Sequence, residues 1–116
     1  LGISGAILAG GKSKRLGEDK ALVKIGDIPL IERAVQAIKP VISQPMIITN
    51  TPEKFDYLNL PIYRDIIPNL GPLGGIYTAL NYATDNHVLV MACDLPNVTT
   101  RIIQELWDRG GNQDIL

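Results

Sequence analysis

Between Leu8 and Ala21 the chain runs Leu-Ala-Gly-Gly-Lys-Ser-Lys-Arg-Leu-Gly-Glu-Asp-Lys-Ala, and this stretch carries the residue types from which an anion site is built. Gly10, Gly11 and Gly17 have no Cβ and tolerate positive φ, so consecutive backbone N–H groups can converge on an oxyanion and approach it closely. Across residues 12–24 five cations (Lys12, Lys14, Arg15, Lys20, Lys24) stand against two acids (Glu18, Asp19), while the whole chain carries a net charge of −1. The positive charge is therefore local, and donors plus local charge are what a polyphosphate requires. Two carboxylates further along, Asp65 and Asp94, each follow a short apolar run. A carboxylate released at the end of a buried strand beside a proline, as in Cys93-Asp94-Leu95-Pro96, suits Mg²⁺, which takes few protein oxygens and borrows the rest from phosphate.

Two familiar glycine motifs are absent. Gly11-Lys12-Ser13 imitates the end of a Walker A loop, but its first glycine would fall at position 6, which is Ala6. Gly10 and Gly11 are adjacent and the next glycine is Gly17, so the G-x-G-x-x-G dinucleotide fingerprint also fails.

The elements that must hold these residues can be read from periodicity. Ile3 to Leu8 is a short apolar run suited to a buried strand that feeds the glycine loop. Gly26-Asp27 marks a turn. Pro29 sits where a first helical turn tolerates it, and Leu30, Ile31, Ala34, Val35 and Ile38 recur on one face until Pro40. Met46 to Asn50 is β-branched and bounded by Pro45 and Pro52, which predicts a second strand; Leu60 to Arg64 predicts a third. Leu73, Ile76, Tyr77 and Leu80 carry a helical pattern with Gly74 and Gly75 in its first turn, where each glycine costs about 1 kcal/mol relative to alanine. Close approach of a ligand or of backbone to that helix N-terminus would offset the cost. His87 to Ala92 is the longest apolar run and predicts a central strand buried on both faces. Val98, Ile102, Ile103, Leu106 and Trp107 predict a last amphipathic helix, capped by Thr99 or Thr100 and ended by Gly110-Gly111. Trp107 and the small side chain of Cys93 are expected in the core, and His87 as a surface or packing residue. Alternating strands and helices imply a mostly parallel α/β sheet, in which ligands gather at the carboxyl ends of strands. Asn50 would then present its amide there, unless it merely closes the strand in an Asx-turn.

At 116 residues and 46% hydrophobic content the chain is expected to form a single domain, residues 1–116, around one core. Near-balanced charge argues against general nucleic-acid binding. The single cysteine rules out an internal disulfide and fits a reducing, cytoplasmic setting. No apolar run approaches the ~20 residues of a membrane span, and no partner at a membrane is expected. The chain opens on Leu1 and stops as an apolar run begins at Asp114-Ile115-Leu116, so a longer parent domain, truncated here at the C-terminus, is expected. The oligomeric state is not legible.

The segment Leu8–Lys20 resembles, without a gap, the signature L-A-G-G-x-S-x-R-[ML]-G-x-D-K of the molybdenum cofactor guanylyltransferases. Asp65 to Ile76 resemble the same family's D-x-x-P-x-x-G-P-L-G/A-G-I/M, and Cys93 to Pro96 its C-D-x-P. The resemblance implies a Rossmann-like, three-layer α/β/α sandwich of the nucleotide-diphospho-sugar (glycosyltransferase-A-type) class. It also implies GTP as donor, Mg²⁺ on Asp94, and molybdopterin or its molybdenum form as acceptor. By the same resemblance the nucleotide-binding segment opens at Leu8 and Ala9, the phosphates rest on Gly10, Gly11, Arg15 and Lys20, and Asn50 meets the guanine or ribose. Asp65, Gly71 and Gly75 are implied at the nucleotide, with Lys20, Arg15 and Asp94 as catalytic groups. Related cytidylyltransferases usually read L-A-A-G, so Gly10 favours guanine. Two other readings stand beside this one: a GTP-binding module inert without a missing half or a partner, and a cytidylyl or sugar-phosphate nucleotidyltransferase of the same fold.

Overall fold

A computed structural model describes residues 3–9, 14–15, 18–19, 24–68, 70–93 and 98–110. Its centre is strand β1 (Ile3–Leu8), whose first five residues are buried. Side chains alternate across a strand, so β1 sends Ile3 and Ile7 to one face and Ala6 and Leu8 to the other.

The first two pairs of short strands are local hairpins. In the glycine-loop region β2 (Lys14–Arg15) pairs antiparallel with β3 (Glu18–Asp19), Arg15 opposite Glu18. Next, β4 (Lys24–Ile25) turns back on β5 (Ile28–Pro29) through Gly26 at φ 68 and Asp27, the turn expected from the sequence. Pro29, at φ −58, leads directly into helix α1 (Leu30–Ile38), which buries Leu30, Ile31, Ala34, Val35, Ala37 and Ile38.

Strands β6 (Met46–Ile48), β7 (Ile62–Tyr63) and β8 (His87–Ala92) join β1 in one sheet, in the order β7-β6-β1-β8, with every pairing parallel. Helices α1 and α3 (Thr100–Gly110) cover one face, around Ile7, Ile47, Met91 and Ile103. Helix α2 (Pro72–Tyr82) covers the other, around Ala6, Met46, Ile48 and Ala79. The three-layer α/β/α arrangement with a parallel sheet is thus present. At the start of α3 the Thr99 hydroxyl accepts from the Ile102 N–H at 3.3 Å, which makes Thr99 the cap, while the Thr100 hydroxyl donates to the Ala37 carbonyl at 2.7 Å and ties α3 to α1. Trp107 packs against the core and meets His87 edge-on at 5.4 Å, and Cys93 is buried.

Three expectations are corrected. The second and third strands are shorter than read, because the paired ladder between them runs only to Ile48 and Tyr63. β8 is not central among the described strands but stands at the end of the sheet, and only its Met91 is buried. The outcome for α2 is the most informative. Its sheet-facing side is Gly74, Gly75, Thr78 and Ala79, while Leu73, Ile76, Tyr77 and Leu80 point outward, Leu73 at 68% and Leu80 at 59% exposure. Small residues win the inner face because the helix axis lies close to the sheet: a Cβ on Gly75 would stand 2.7 Å from Leu8 Cδ2.

The loop after β6 is fastened to α1 by a hydrogen bond from the Tyr57 phenol to Glu32 Oε2 at 2.9 Å. Desolvation first, then the accepting carboxylate and its negative charge, push the Tyr57 phenol up from its ordinary value to about 12. The neutral phenol is the favoured form in the folded state, so its contribution is present below the unfolded value of about 10 and is lost as pH rises through the folded value. A tyrosinate absorbance step centred at about pH 12 is expected in the native protein. It should vanish in Tyr57→Phe; its persistence there would assign the late step to another residue.

Candidate active site

Because the strands are parallel and in register, all four release the chain at one edge. Three backbone hydrogen bonds lace that edge together: Cys93 N–H to the Leu8 carbonyl at 3.1 Å, Ala9 N–H to the Ile48 carbonyl at 2.9 Å, and Thr49 N–H to the Tyr63 carbonyl at 2.9 Å. The glycine loop therefore leaves β1, and the Cys-Asp-Leu-Pro segment leaves β8, from hydrogen-bonded neighbours. Gly10, Gly11, Lys20 and Asp94 lie outside the described residues, and Arg15 is described only as part of β2.

Leu8 is half-buried and packs beneath Gly75, and Ala9 is fully buried. The loop thus leaves from a fixed floor. Asn50, at the end of β6, is exposed, and its carbonyl accepts from Arg64 Nη1 at 2.9 Å, which bridges the ends of β6 and β7. The turn here is closed by Thr49, whose hydroxyl accepts from the Thr51 N–H at 3.2 Å, so its neighbour performs the closing role weighed for Asn50.

Asp65 is half-buried beyond β7, against the first turn of α2. Its carboxyl carbon lies 3.7 Å from where a Cβ on Gly74 would stand, and the Ile67 carbonyl only 3.0 Å from the same point. Gly71, at φ 59, is the residue before α2, in a backbone region that favours glycine, and a Cβ there would meet nothing within 4 Å. The glycines of this segment consequently have different causes. Gly71 supplies the bend, Gly74 admits the Asp65–Ile67 segment, and Gly75 admits Leu8.

Two residues that sequence reading passed over stabilise this corner. Arg64 spans two strand ends as above. Thr78, fully buried, accepts from the Ile66 N–H at 2.9 Å and donates to the Gly74 carbonyl at 2.8 Å. The available signal was a lone hydroxyl within an otherwise apolar or glycine face of α2. Among the described residues no group of three or more His, Cys, Asp or Glu side chains gathers as a metal site. A polar groove of about 400 Å³, lined by Ser4, Gln44, Tyr63, Tyr82 and Asp85, opens at the amino ends of the strands, on the side away from these residues.

Against known families, residues 5–116 match the MobA-like NTP transferase domain. The chain belongs to this family. It is 44% identical over 110 residues to a Carboxydothermus hydrogenoformans protein named "Probable molybdenum cofactor guanylyltransferase", covering 95% of this chain and 55% of that one. It is 34% identical to the Serratia proteamaculans protein named "Molybdenum cofactor guanylyltransferase", covering 95% and 57%. Among solved structures, an Aquifex aeolicus protein superposes with a TM-score of 0.77 at 36% identity, covering 92% of this chain and 58% of that one. The CTP complex of CMP:2-keto-3-deoxy-manno-octonic acid synthetase superposes at 0.78 with 15% identity, covering 98% and 49%, which shows the same fold. The chain spans about half the length of the curated relatives it matches. No helix among the described residues is long and apolar enough to cross a membrane.

Proposed function

We propose that residues 1–116 form one nucleotide-binding unit of a cytoplasmic molybdenum cofactor guanylyltransferase, which transfers GMP from GTP to the terminal phosphate of molybdopterin or its molybdenum form. The observation that carries this reading is the laced carboxyl edge, where the strand leading into the glycine loop and the strand leading into Asp94 are hydrogen-bonded neighbours. Asp65 stands at the same edge, against the start of α2.

In this reading the backbone of Gly10 and Gly11, with Arg15 and Lys20, holds the triphosphate. Asn50, Asp65, Gly71 and Gly75 border the nucleoside, and Leu8 and Ala9 form the floor. An acceptor phosphate oxygen forms a new bond to the α-phosphorus in line, the α–β bridging bond breaks, and pyrophosphate leaves with the electron pair. The attacking oxygen is already anionic at neutral pH, so no side chain need remove a proton. The work of the protein is alignment and neutralisation of charge. The hard carboxylate of Asp94 suits Mg²⁺, which when bound would offset phosphate charge.

A second reading is favoured by one observation: the chain spans about half the length of its relatives. On that reading the unit binds GTP and turns it over only with a further segment or partner. Calorimetry with GTP and CTP, beside a pyrophosphate-release assay with molybdopterin supplied, separates the possibilities. Binding of GTP over CTP with Mg²⁺-dependent pyrophosphate release is the expected result. GTP binding without release supports the module, and preference for CTP would overturn the guanine assignment.

A further inference from the structure

Thr78 lies on the buried side of α2, where every neighbour on the sheet-facing surface is glycine or alanine. An apolar residue would serve simple packing there, and a hydroxyl in such surroundings must be hydrogen bonded to be tolerated. It is bonded twice. Donation to the Gly74 carbonyl, four residues back, is the ordinary local bond of a helical threonine. Acceptance from the Ile66 N–H is different, because Ile66 lies twelve residues away, on the segment that leaves β7. No regular ladder holds that segment: pairing in the sheet ends at Tyr63, and α2 begins only at Pro72. The Ile66 amide belongs to the residue immediately after Asp65. Fixing it therefore sets where the Asp65 backbone ends and which way its carboxyl group leaves. The missing Cβ of Gly74 completes the arrangement, since a side chain there would stand 3.0 Å from the Ile67 carbonyl, with the Asp65 carboxyl carbon at 3.7 Å, in ordinary contact beside it.

We infer that Thr78 is a positioning residue for nucleotide binding: its hydroxyl latches the Ile66 amide to α2 and thereby holds the Asp65 carboxylate at the strand edge in the orientation that meets the nucleoside. The inference rests on the nucleotide-binding reading above and adds to it a residue that touches no ligand itself. It also accounts for a hydroxyl on the inner face of α2, where the other buried residues are glycine and alanine.

The test is a double-mutant cycle read by GTP calorimetry and by amide hydrogen exchange at Ile66. Thr78→Val is expected to weaken GTP binding about tenfold, as for loss of one hydrogen bond that aligns a ligand-binding group, and to accelerate exchange at Ile66. Thr78→Ser should restore both. In an Asp65→Asn background, Thr78→Val should add little further loss, because the hydroxyl acts through the carboxylate. Should Thr78→Val not fold, Thr78→Ala removes the same hydroxyl without adding atoms and takes its place in the cycle. Full GTP affinity in the hydroxyl-free variant, or losses that simply add in the double mutant, would overturn the positioning role while leaving the nucleotide reading intact. Failure of the wild-type protein to bind any guanine nucleotide would instead remove the reading on which it rests.

Discussion

Asp94→Ala and Lys20→Ala are each expected to lower Mg²⁺-dependent pyrophosphate release by at least about 10²-fold, with the circular dichroism spectrum and melting transition unchanged. In the proposed reaction an anionic acceptor meets an anionic triphosphate, so most of the barrier is electrostatic. Groups that neutralise the phosphates must then carry most of the rate enhancement. Lys20 is the last cation of the loop motif and Asp94 follows the strand paired with the one that feeds that loop. Loss of rate without loss of fold is therefore the signature of the assignment. Lys39→Ala provides the control for Lys20→Ala: this exposed cation follows α1, beside residues that line the groove at the opposite edge, and its removal changes the net charge by the same amount. Pyrophosphate release at the wild-type level in both Lys20→Ala and Asp94→Ala would sink the proposed chemistry.

The elements that were legible in the sequence are those whose register depends on period alone. The strand Ile3–Leu8 and the helix Leu30–Ile38 announce themselves because a run or a stripe of aliphatic residues meets the core as soon as the backbone is laid down. The edge to which Asn50 and Asp65 were assigned follows from parallel pairing, which alternation of strands and helices already implies. Helix α2 was harder, since its apolar stripe and its buried face are different sets of residues. The controlling fact is the distance between α2 and β1, visible only when Leu8 is seen against Gly75. β8 misled for a related reason. A hydrophobic strand reads the same at the centre of a sheet and at its end, because composition reports which residues tolerate burial and not which neighbour is present. Thr78 and Arg64 escaped notice because their roles lie in bonds to residues twelve and fourteen positions away.

That difference between composition and placement can be measured directly with two aliphatic side chains that the sequence treats alike. Ile7 is fully buried in β1, within the cluster shared by α1, α3 and the sheet, whereas Leu80 is 59% exposed on the outer side of α2. Truncating Ile7 to alanine removes buried carbons and leaves a cavity that a sheet held by neighbours on both sides cannot close, so a loss of about 2–5 kcal/mol in unfolding free energy is expected. A domain of this size has only a few such losses in reserve, given a total of about 5–15 kcal/mol. Leu80→Ala should change stability by no more than about 0.5 kcal/mol, since a residue already in water leaves no cavity and alanine is the better helix former. Chemical denaturation of both variants, with equal slopes against denaturant, is the measurement. A loss at Leu80 as large as that at Ile7 would mean that the outer face of α2 is covered in the native protein, and the orientation described for that helix would have to be reconsidered.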